Sequence, residues 1–359
     1  MSINRLYDTW YRRVKQLWGQ ERITLLRNMA WFLSGVYAGR SVQLQQVAGK
    51  IPGLAKLTSR TRRLSRFLAS PRLRVRAWYA PIAGWLVQEM LARVGEVRLI
   101  VDGTKVGWGH QLLLVAIAFR RRAIPLAWTW VKYPKGHSSA FKQLALLAYV
   151  HQLIPVGARV VLVGDSEFGA VEVLQQMEAW QWQYVLRQTG KHQVQTAGQM
   201  GWQPLRAVIH RPGQSVWLPQ ARLTAKHAHP VNLLAHWQVG EKQPWLLASN
   251  LLTRRAALRA YRRRMWIDEL FGDLKKHGFD LETTHLHHIM RLSRLTLLVA
   301  LLYLWSMAVG SRTIKQGRRH LVDRTDRRDL SIFQIGVRII QRYLTNSLPI
   351  PMTLRPYFS

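Results

Sequence analysis

Asp102 and Asp165 each close an apolar run, Val97-Arg98-Leu99-Ile100-Val101 in the first case and Val160-Val161-Leu162-Val163-Gly164 in the second. A carboxylate at the C-terminal end of a strand projects from the sheet edge, where ligands collect in open sheets. A third acidic position, Asp268-Glu269, lies inside an amphipathic stretch from Tyr261 to His277. Hard cations such as Mg2+ take oxygen ligands and keep several waters, so two or three carboxylates plus substrate phosphates make a site. Two such ions about 4 Å apart activate the attacking oxygen and stabilise the leaving oxygen of a phosphodiester. The acids also stand out by scarcity, since 18 Asp and Glu face 53 Lys and Arg, for a formal net charge of +35. Few carboxylates, placed at strand ends in a chain that attracts polyanions, point to a metal-dependent enzyme acting on nucleic acid.

The third acidic position carries further chemistry. Tyr261, Arg264, Asp268 and Lys275 are spaced by three, four and seven residues. At about 100° per residue they project within roughly 60° of one another on one helix face. Trp266, Leu270 and Leu274 point the other way, as a core stripe should, and Gly272 leaves room for a ligand on the polar face. A phenol, a guanidinium, a carboxylate and an ammonium on one stripe can bind phosphates while completing a metal site. Glu269 lies about 100° further round the helix and is the alternate third ligand.

The rest of the composition narrows the class. The charge implies a polyanionic partner, nucleic acid first. The chain has no cysteine, which removes disulfides and Cys-based zinc sites and fits a reducing cytosol. No secretory apolar core follows Met1, and Leu295 to Gly310 is shorter than the ~18–20 residues needed to span a bilayer, so a buried core helix is expected and a membrane partner is not. His285, His287 and His288 lack the spacing of a zinc motif. His137-Ser138-Ser139 has no paired acid at recognisable spacing for a Ser nucleophile.

These side chains need elements to hold them. Residues 1–96 read as helical and basic, with a break at Ile51-Pro52-Gly53 and clustered arginines from Arg60 to Arg66, suited to a helix-turn-helix-like DNA-binding region. From Val97 the texture becomes strand-like: Val97–Asp102, Leu112–Phe119 and Ala123–Val131, then helix Phe141–Leu153, strand Val160–Gly164, helix Ala170–Trp182 and strand Tyr184–Leu186. Three strands, helix, strand, helix, strand is the order of an RNase H-like core, first part 97–187, an α/β fold with a mixed sheet flanked by helices. Residues 188–250 read as a β-rich insertion with pieces at Ala207–His210, Val216–Leu218 and Leu233–Val239, and with Pro244–Asn250 returning to the core sheet. Residues 251–310 carry the catalytic helix and C-terminal core helices, and 311–359 a basic tail.

These residues resemble the DDE transposases of bacterial insertion sequences, specifically the insertion-sequence-four family. Its helix signature is Tyr, two residues, Arg, three residues, Glu, six residues, Lys. The counterpart here runs from Tyr261 through Arg264 and Asp268 to Lys275, with Asp where the family has Glu. The shorter side chain reduces reach by about 1.3–1.5 Å, the length of one methylene, and leaves Asp268 and Glu269 both open as the third ligand. Val101-Asp102-Gly103-Thr104 and Gly164-Asp165-Ser166-Glu167-Phe168-Gly169 resemble the family's first and second catalytic segments. The resemblance implies cut-and-paste transposition: binding of terminal inverted repeats, strand cleavage through a hairpin intermediate and strand transfer into target DNA. It implies two Mg2+ ions, with Mn2+ as a substitute, on Asp102, Asp165 and Asp268, and phosphate contacts from Tyr261, Arg264 and Lys275. It also implies a homodimer on double-stranded DNA in the bacterial cytoplasm, associated with the nucleoid. Trp202, Trp217 or Trp237 in the insertion could stack on an extruded base. The alternatives are a catalytically decayed DNA-binding relative and a stand-alone RNase H-like nuclease.

Overall fold

Aliphatic runs bounded by turn residues form strands here, and longer stretches with helical periodicity form helices. The computed structural model describes residues 2–107, 109–132 and 138–358. In chain order these hold α1 (Ser2–Trp18), α2 (Ile23–Gly39), α3 (Leu44–Lys50), α4 (Leu57–Ala69), α5 (Val75–Val94), β1 (Val97–Val106), β2 (His110–Phe119), β3 (Arg122–Lys132), α6 (Ala140–Leu153), β4 (Val160–Gly164), α7 (Val171–Ala179) and β5 (Gln183–Arg187). There follow β6 (Gln193–Gln195), β7 (Gln203–Pro204), β8 (Ser215–Leu223), β9 (His229–His236), β10 (Trp245–Ser249), α8 (Arg254–Tyr261), α9 (Trp266–Leu274), α10 (Ile289–Lys315) and α11 (Ile332–Thr345). The chain divides into two units, Met1–Leu86 with Val106–His110 and Leu270–Ser359, and Val87–Lys105 with Gln111–Glu269.

The first unit is helical and collects around α10, which packs against α2, α4 and α11. That helix is long and apolar enough to cross a membrane, with a mean hydropathy of 1.8, but 94% of its most apolar window is buried by the protein itself. Trp305 on α10 meets Trp10 edge-on at 5.2 Å and Tyr37 at 5.3 Å between ring centroids. A Cβ at Gly336 of α11 would run into the carbonyl oxygen of Ser306, and one at Gly310 into that of Ile332. The two helices therefore approach backbone to backbone, and residues 311–359, read from sequence as a basic tail, include a helix packed on the core. The break expected at Ile51-Pro52-Gly53 separates α3 from α4.

The second unit is built on a ten-stranded sheet of order β3-β2-β1-β4-β5-β10-β9-β8-β6-β7. β1, β4 and β5 run parallel, and β10, β9, β8, β6 and β7 continue antiparallel. The short connections from β1 to β2 and from β2 to β3 admit only antiparallel pairing, since parallel strands need a long crossover. β2 and β4 are buried at every position, so both sheet faces are covered there. Helix α6 packs on β3, α7 on β5, and α8 across β4, β5 and β9. The fold is a mixed α/β sheet flanked by helices. Residues 188–250 extend that sheet through β8, β9 and β10, and β10 returns to pair with β5. Ala207–His210 is not a strand: after extended Pro204 the chain tightens into the 3-10 turn Leu205–Val208, anchored by buried Leu205. Helix α7 stops at Ala179 rather than Trp182, because Gln181 takes a left-handed φ of 57°.

Candidate active site

β1 and β4 lie side by side in parallel, with Val101 opposite Gly164. β1 does not end at Asp102 as the sequence suggests but runs on to Val106, while β4 stops at Gly164. The next step along each strand places Asp102 and Asp165 side by side where the β1–β4 pairing ends, roughly one strand spacing of about 4.8 Å apart. Gly164 is small for a packing reason: a Cβ there would sit 2.8 Å from Val101 Cγ1 and 3.0 Å from Leu186 Cδ2. Asp102 is 3% exposed. Its Oδ1 accepts the Gly103 N–H at 2.7 Å and its Oδ2 accepts from Arg264 at 2.5 Å. Asp165 Oδ1 accepts the Glu167 N–H at 2.9 Å and so caps the 3-10 turn Ser166–Phe168.

The third acid arrives from α9. The path from Tyr261 to Leu274 is not one uniform helix, because Arg262–Met265 tightens into a 3-10 turn between α8 and α9. Tighter winding changes the angular step across those residues, and the buried stripe of α9 is Ile267, Leu270, Phe271 and Leu274, with Trp266 only half-buried. Asp268 still faces Arg264, whose guanidinium reaches it at 3.0 Å while also holding Asp102. Glu269 turns instead to Arg122. Lys275 belongs to the other unit, where its ammonium meets Glu282 at 2.8 Å. Tyr261 is 2% exposed, with its ring edge-on to Trp245 at 5.1 Å.

Charge is concentrated here. Burial pushes the Asp102 carboxyl up to about 7; Arg264 and the Gly103 N–H oppose that shift, while Asp165 and Asp268 add to it. Asp268 is also raised, by burial first and then by Asp165 and Glu269, against the pull of Arg264. Burial works against the Arg264 charge, but Asp102, Asp268, Tyr261 and Asp165 together outweigh it and hold the guanidinium protonated. Burial pushes the Tyr261 phenol up to about 12, so it stays neutral. In this arrangement no group of three His, Asp or Glu side chains among the described residues is set to hold an ion. Arg264 supplies the positive charge between Asp102 and Asp268 instead. The donor set, all carboxylate oxygen, is nonetheless of the type a hard divalent cation takes.

Glu167, within the segment Gly164–Gly169, has a distinct place. It is 9% exposed. Its Oε2 accepts from Gln111 Nε2 at 2.8 Å, and its Oε1 accepts from the Ser138 N–H at 2.8 Å and the Ser138 hydroxyl at 2.5 Å. Gln143 Nε2 donates to the Glu167 carbonyl at 2.9 Å. The carboxylate thus ties β2, the start of α6 and the turn after Asp165 into one junction. The signal available in sequence was the presence of any Glu two residues beyond Asp165 in so basic a chain. Ser138 has an acidic partner in Glu167, and His137 lies outside the described residues. His288 accepts from the Met290 N–H at 3.2 Å and caps α10. Trp202 and Trp217 are half-buried, and the Arg206 guanidinium sits over the Trp237 ring at 4.6 Å.

A family described as the transposase DDE domain matches residues 94–305, more than half of the chain. No curated protein matches. Among solved structures, the chain is similar to piggyBac transposase in a cryo-EM structure of its synaptic complex with hairpin DNA. Identity is 10%, the match covers 99% of this chain and 84% of that one, and the TM-score is 0.43, too low to carry an argument.

Proposed function

The chain belongs to the transposase DDE-domain family, and from that premise we propose that it binds the terminal inverted repeats of its element and carries out cut-and-paste transposition. DDE domains generally use divalent metal ions; here Asp102, Asp165 and Asp268 would hold two Mg2+, or Mn2+ in their place. Bound there, the ions supply activation of the attacking oxygen and charge stabilisation of the leaving one. The observation that carries this reading is Arg264, which joins the α9 acid Asp268 to the β1 acid Asp102, beside Asp165. An acid from helix α9, one from within β1 and one just past β4 share one electrostatic neighbourhood.

The chain's own residues divide the remaining work. Asp268 is the third ligand in this proposal, because Glu269 is turned to Arg122. The fork of Arg264 suits a phosphate as well as a carboxylate. Tyr261 keeps its phenolic proton and serves as a neutral hydrogen-bonding group, and Lys275 contacts the DNA backbone. The strand order β3-β2-β1-β4-β5, with β1, β4 and β5 parallel, supports an RNase H-like core. The arginine cluster on α4 (Arg60, Arg62, Arg63 and Arg66) supports DNA binding by the N-terminal helices. Membership of the insertion-sequence-four family, hairpin chemistry, a homodimeric synaptic complex and a bacterial cytoplasmic location belong to the same proposal.

The test is cleavage of the element's end DNA with Mg2+ or Mn2+, comparing wild type with Asp165→Asn, Asp268→Asn and Glu269→Gln. Cleavage is expected in wild type and Glu269→Gln and absent from the two Asp variants. Loss in Glu269→Gln with activity kept in Asp268→Asn would move the third ligand to Glu269. DNA binding without cleavage under either metal would make the chain a decayed, non-catalytic relative.

A further inference from the structure

The parallel strands have a second end, opposite the carboxylates. Val97 of β1 pairs with Val160 of β4, and Val161 of β4 with Gln183 of β5. Five residue steps along β1 separate Val97 from Asp102, about 16 Å at the rise of a strand. At the Val97 end a crevice of about 270 Å3 opens between these strand starts and α8, with Arg159, Arg259, Arg263, Gln183 and Thr253 in its lining.

Glu96 is the one acid in that lining, and it is already engaged. Its Oε1 accepts from Arg98 Nε at 2.6 Å, and its Oε2 faces Arg159 at 3.9 Å. Arg98 and Arg159 therefore share one carboxylate, and Arg259 and Arg263 bring two further guanidiniums to the crevice. Arg263 is half-buried, and among the described residues it makes no direct ion pair. Burial holds its pKa down, Arg98 and Arg259 add to that, and Glu96 only partly offsets it. Desolvating a cation beside two like charges is unfavourable unless an anion completes the arrangement. The neighbouring residue on the same 3-10 turn, Arg264, sends its guanidinium to Asp102 at the opposite end of the β1–β4 pairing.

We infer that this crevice is a second DNA-binding site, taking a backbone phosphodiester at a distance from the one that is cleaved. Guanidinium forks match phosphate oxygens in pairs, the crevice has room for a phosphate group, and the amide of Gln183 and the hydroxyl of Thr253 add polar contacts at its wall. Phosphates on one strand of B-DNA follow one another every ~3.4 Å along the axis, so the two sites engage non-adjacent phosphates or separate duplex segments. The crevice thus fixes where DNA beyond the cleaved bond runs. This inference rests on the proposed transposase reading.

The experiment uses the full chain and a fluorescein-labelled duplex, with anisotropy read from about 50 to 400 mM KCl and metal-dependent cleavage read at saturating DNA. Arg263→Gln and Arg159→Gln are compared with Lys226→Gln, an exposed cation outside the crevice. Arg159 is 72% exposed at its side chain, so its loss leaves the fold intact even if Arg263→Gln does not fold. The expected result is at least fivefold weaker binding for each crevice variant at about 100 mM salt. The slope of log affinity against log salt should fall by about one unit per lost phosphate contact. Lys226→Gln should bind and cleave as wild type does. Wild-type binding and cleavage with both crevice variants matching Lys226→Gln would overturn the crevice site alone. A wild type that neither binds nor cleaves DNA would overturn the transposase reading and this inference with it.

Discussion

Asp102 is a carboxylate that water barely reaches, and its proton is therefore linked to folding. An exposed Asp titrates near 3.9, whereas burial and the facing Asp165 and Asp268 push Asp102 up to about 7. The folded protein holds that proton more tightly than the unfolded chain does. The stability Asp102 contributes by being protonated is complete below about pH 4 and is lost as pH rises through about 7. In metal-free buffer, urea unfolding should show stability falling between pH 5 and pH 8 by on the order of 3 kcal/mol, and Asp102→Asn should remove most of that fall, the raised Asp268 accounting for the rest. A variant with the wild-type slope would place the titration elsewhere. Arg264 gives a second prediction on the same axis. At pH 8 Arg264→Ala leaves an ionised, buried Asp102 without its cation, a loss of about 3 kcal/mol. At pH 5 the protonated Asp102 needs no partner, so the loss should shrink. Equal destabilisation at both pH values would mean Arg264 stabilises by packing alone. Asp102 and Asp165 could be found in sequence because each follows an apolar run. What Arg264 does to them could not, since Arg264 and Asp102 are far apart in the chain and only the fold brings them together.

At the scale of elements, the junction around Glu167 decides how accurately the carboxylates are held. Gly103 follows Asp102 on β1, and a Cβ there would collide with Gln111 Nε2 and lie 3.0 Å from Glu167 Oε2 and from Leu113 Cδ2. Gly103→Ala should leave the protein folded, because the atoms met are mostly side-chain ends. It should also break the Gln111–Glu167 hydrogen bond and shift the part of β1 that carries Asp102. Cleavage is expected to fall at least tenfold, while the far-UV spectrum is kept and the unfolding midpoint drops by a loss of about 1–2 kcal/mol. Wild-type cleavage in a folded Gly103→Ala would show that the junction does not set the geometry of Asp102. The elements around this junction were mostly legible from sequence. Val160–Gly164 reads as a buried strand because it is apolar throughout, and β4 has those bounds. A constant angular step from Tyr261 to Lys275 predicts one helix face, and the 3-10 turn Arg262–Met265 interrupts that step. Three consecutive arginines have no periodicity that would reveal a tightened turn. The short β6 and β7 carry too few residues for any pattern, and the single 3-10 turn Leu205–Val208 is too short to show a helical period.

For the whole molecule, the dominant quantity is a formal net charge of +35, and it makes added salt act in two opposite directions. In the free protein, like charges repel one another across the folded surface, and unfolding relieves that repulsion. Screening with salt weakens the repulsion, since the Debye length falls from about 30 Å at 0.01 M to about 8 Å at 0.15 M. The melting temperature of the free protein should therefore rise as KCl increases from about 20 to 300 mM. DNA binding should respond the other way. Each neutralised phosphate releases a counterion, so six to ten contacts lose about a thousandfold to a hundred-thousandfold in affinity between 50 and 200 mM salt. Stabilisation by a bound partner follows the ratio of its concentration to its dissociation constant, so at fixed duplex concentration the gap between the melting curves with and without DNA should close as salt rises. Both curves rising in parallel would mean that the positive charge is not what meets DNA. Asp165→Asn separates this surface effect from the chemistry: removing one carboxylate from a +35 molecule leaves the salt response essentially unchanged while cleavage is lost. A variant that lost binding together with cleavage would instead tie Asp165 to holding the DNA.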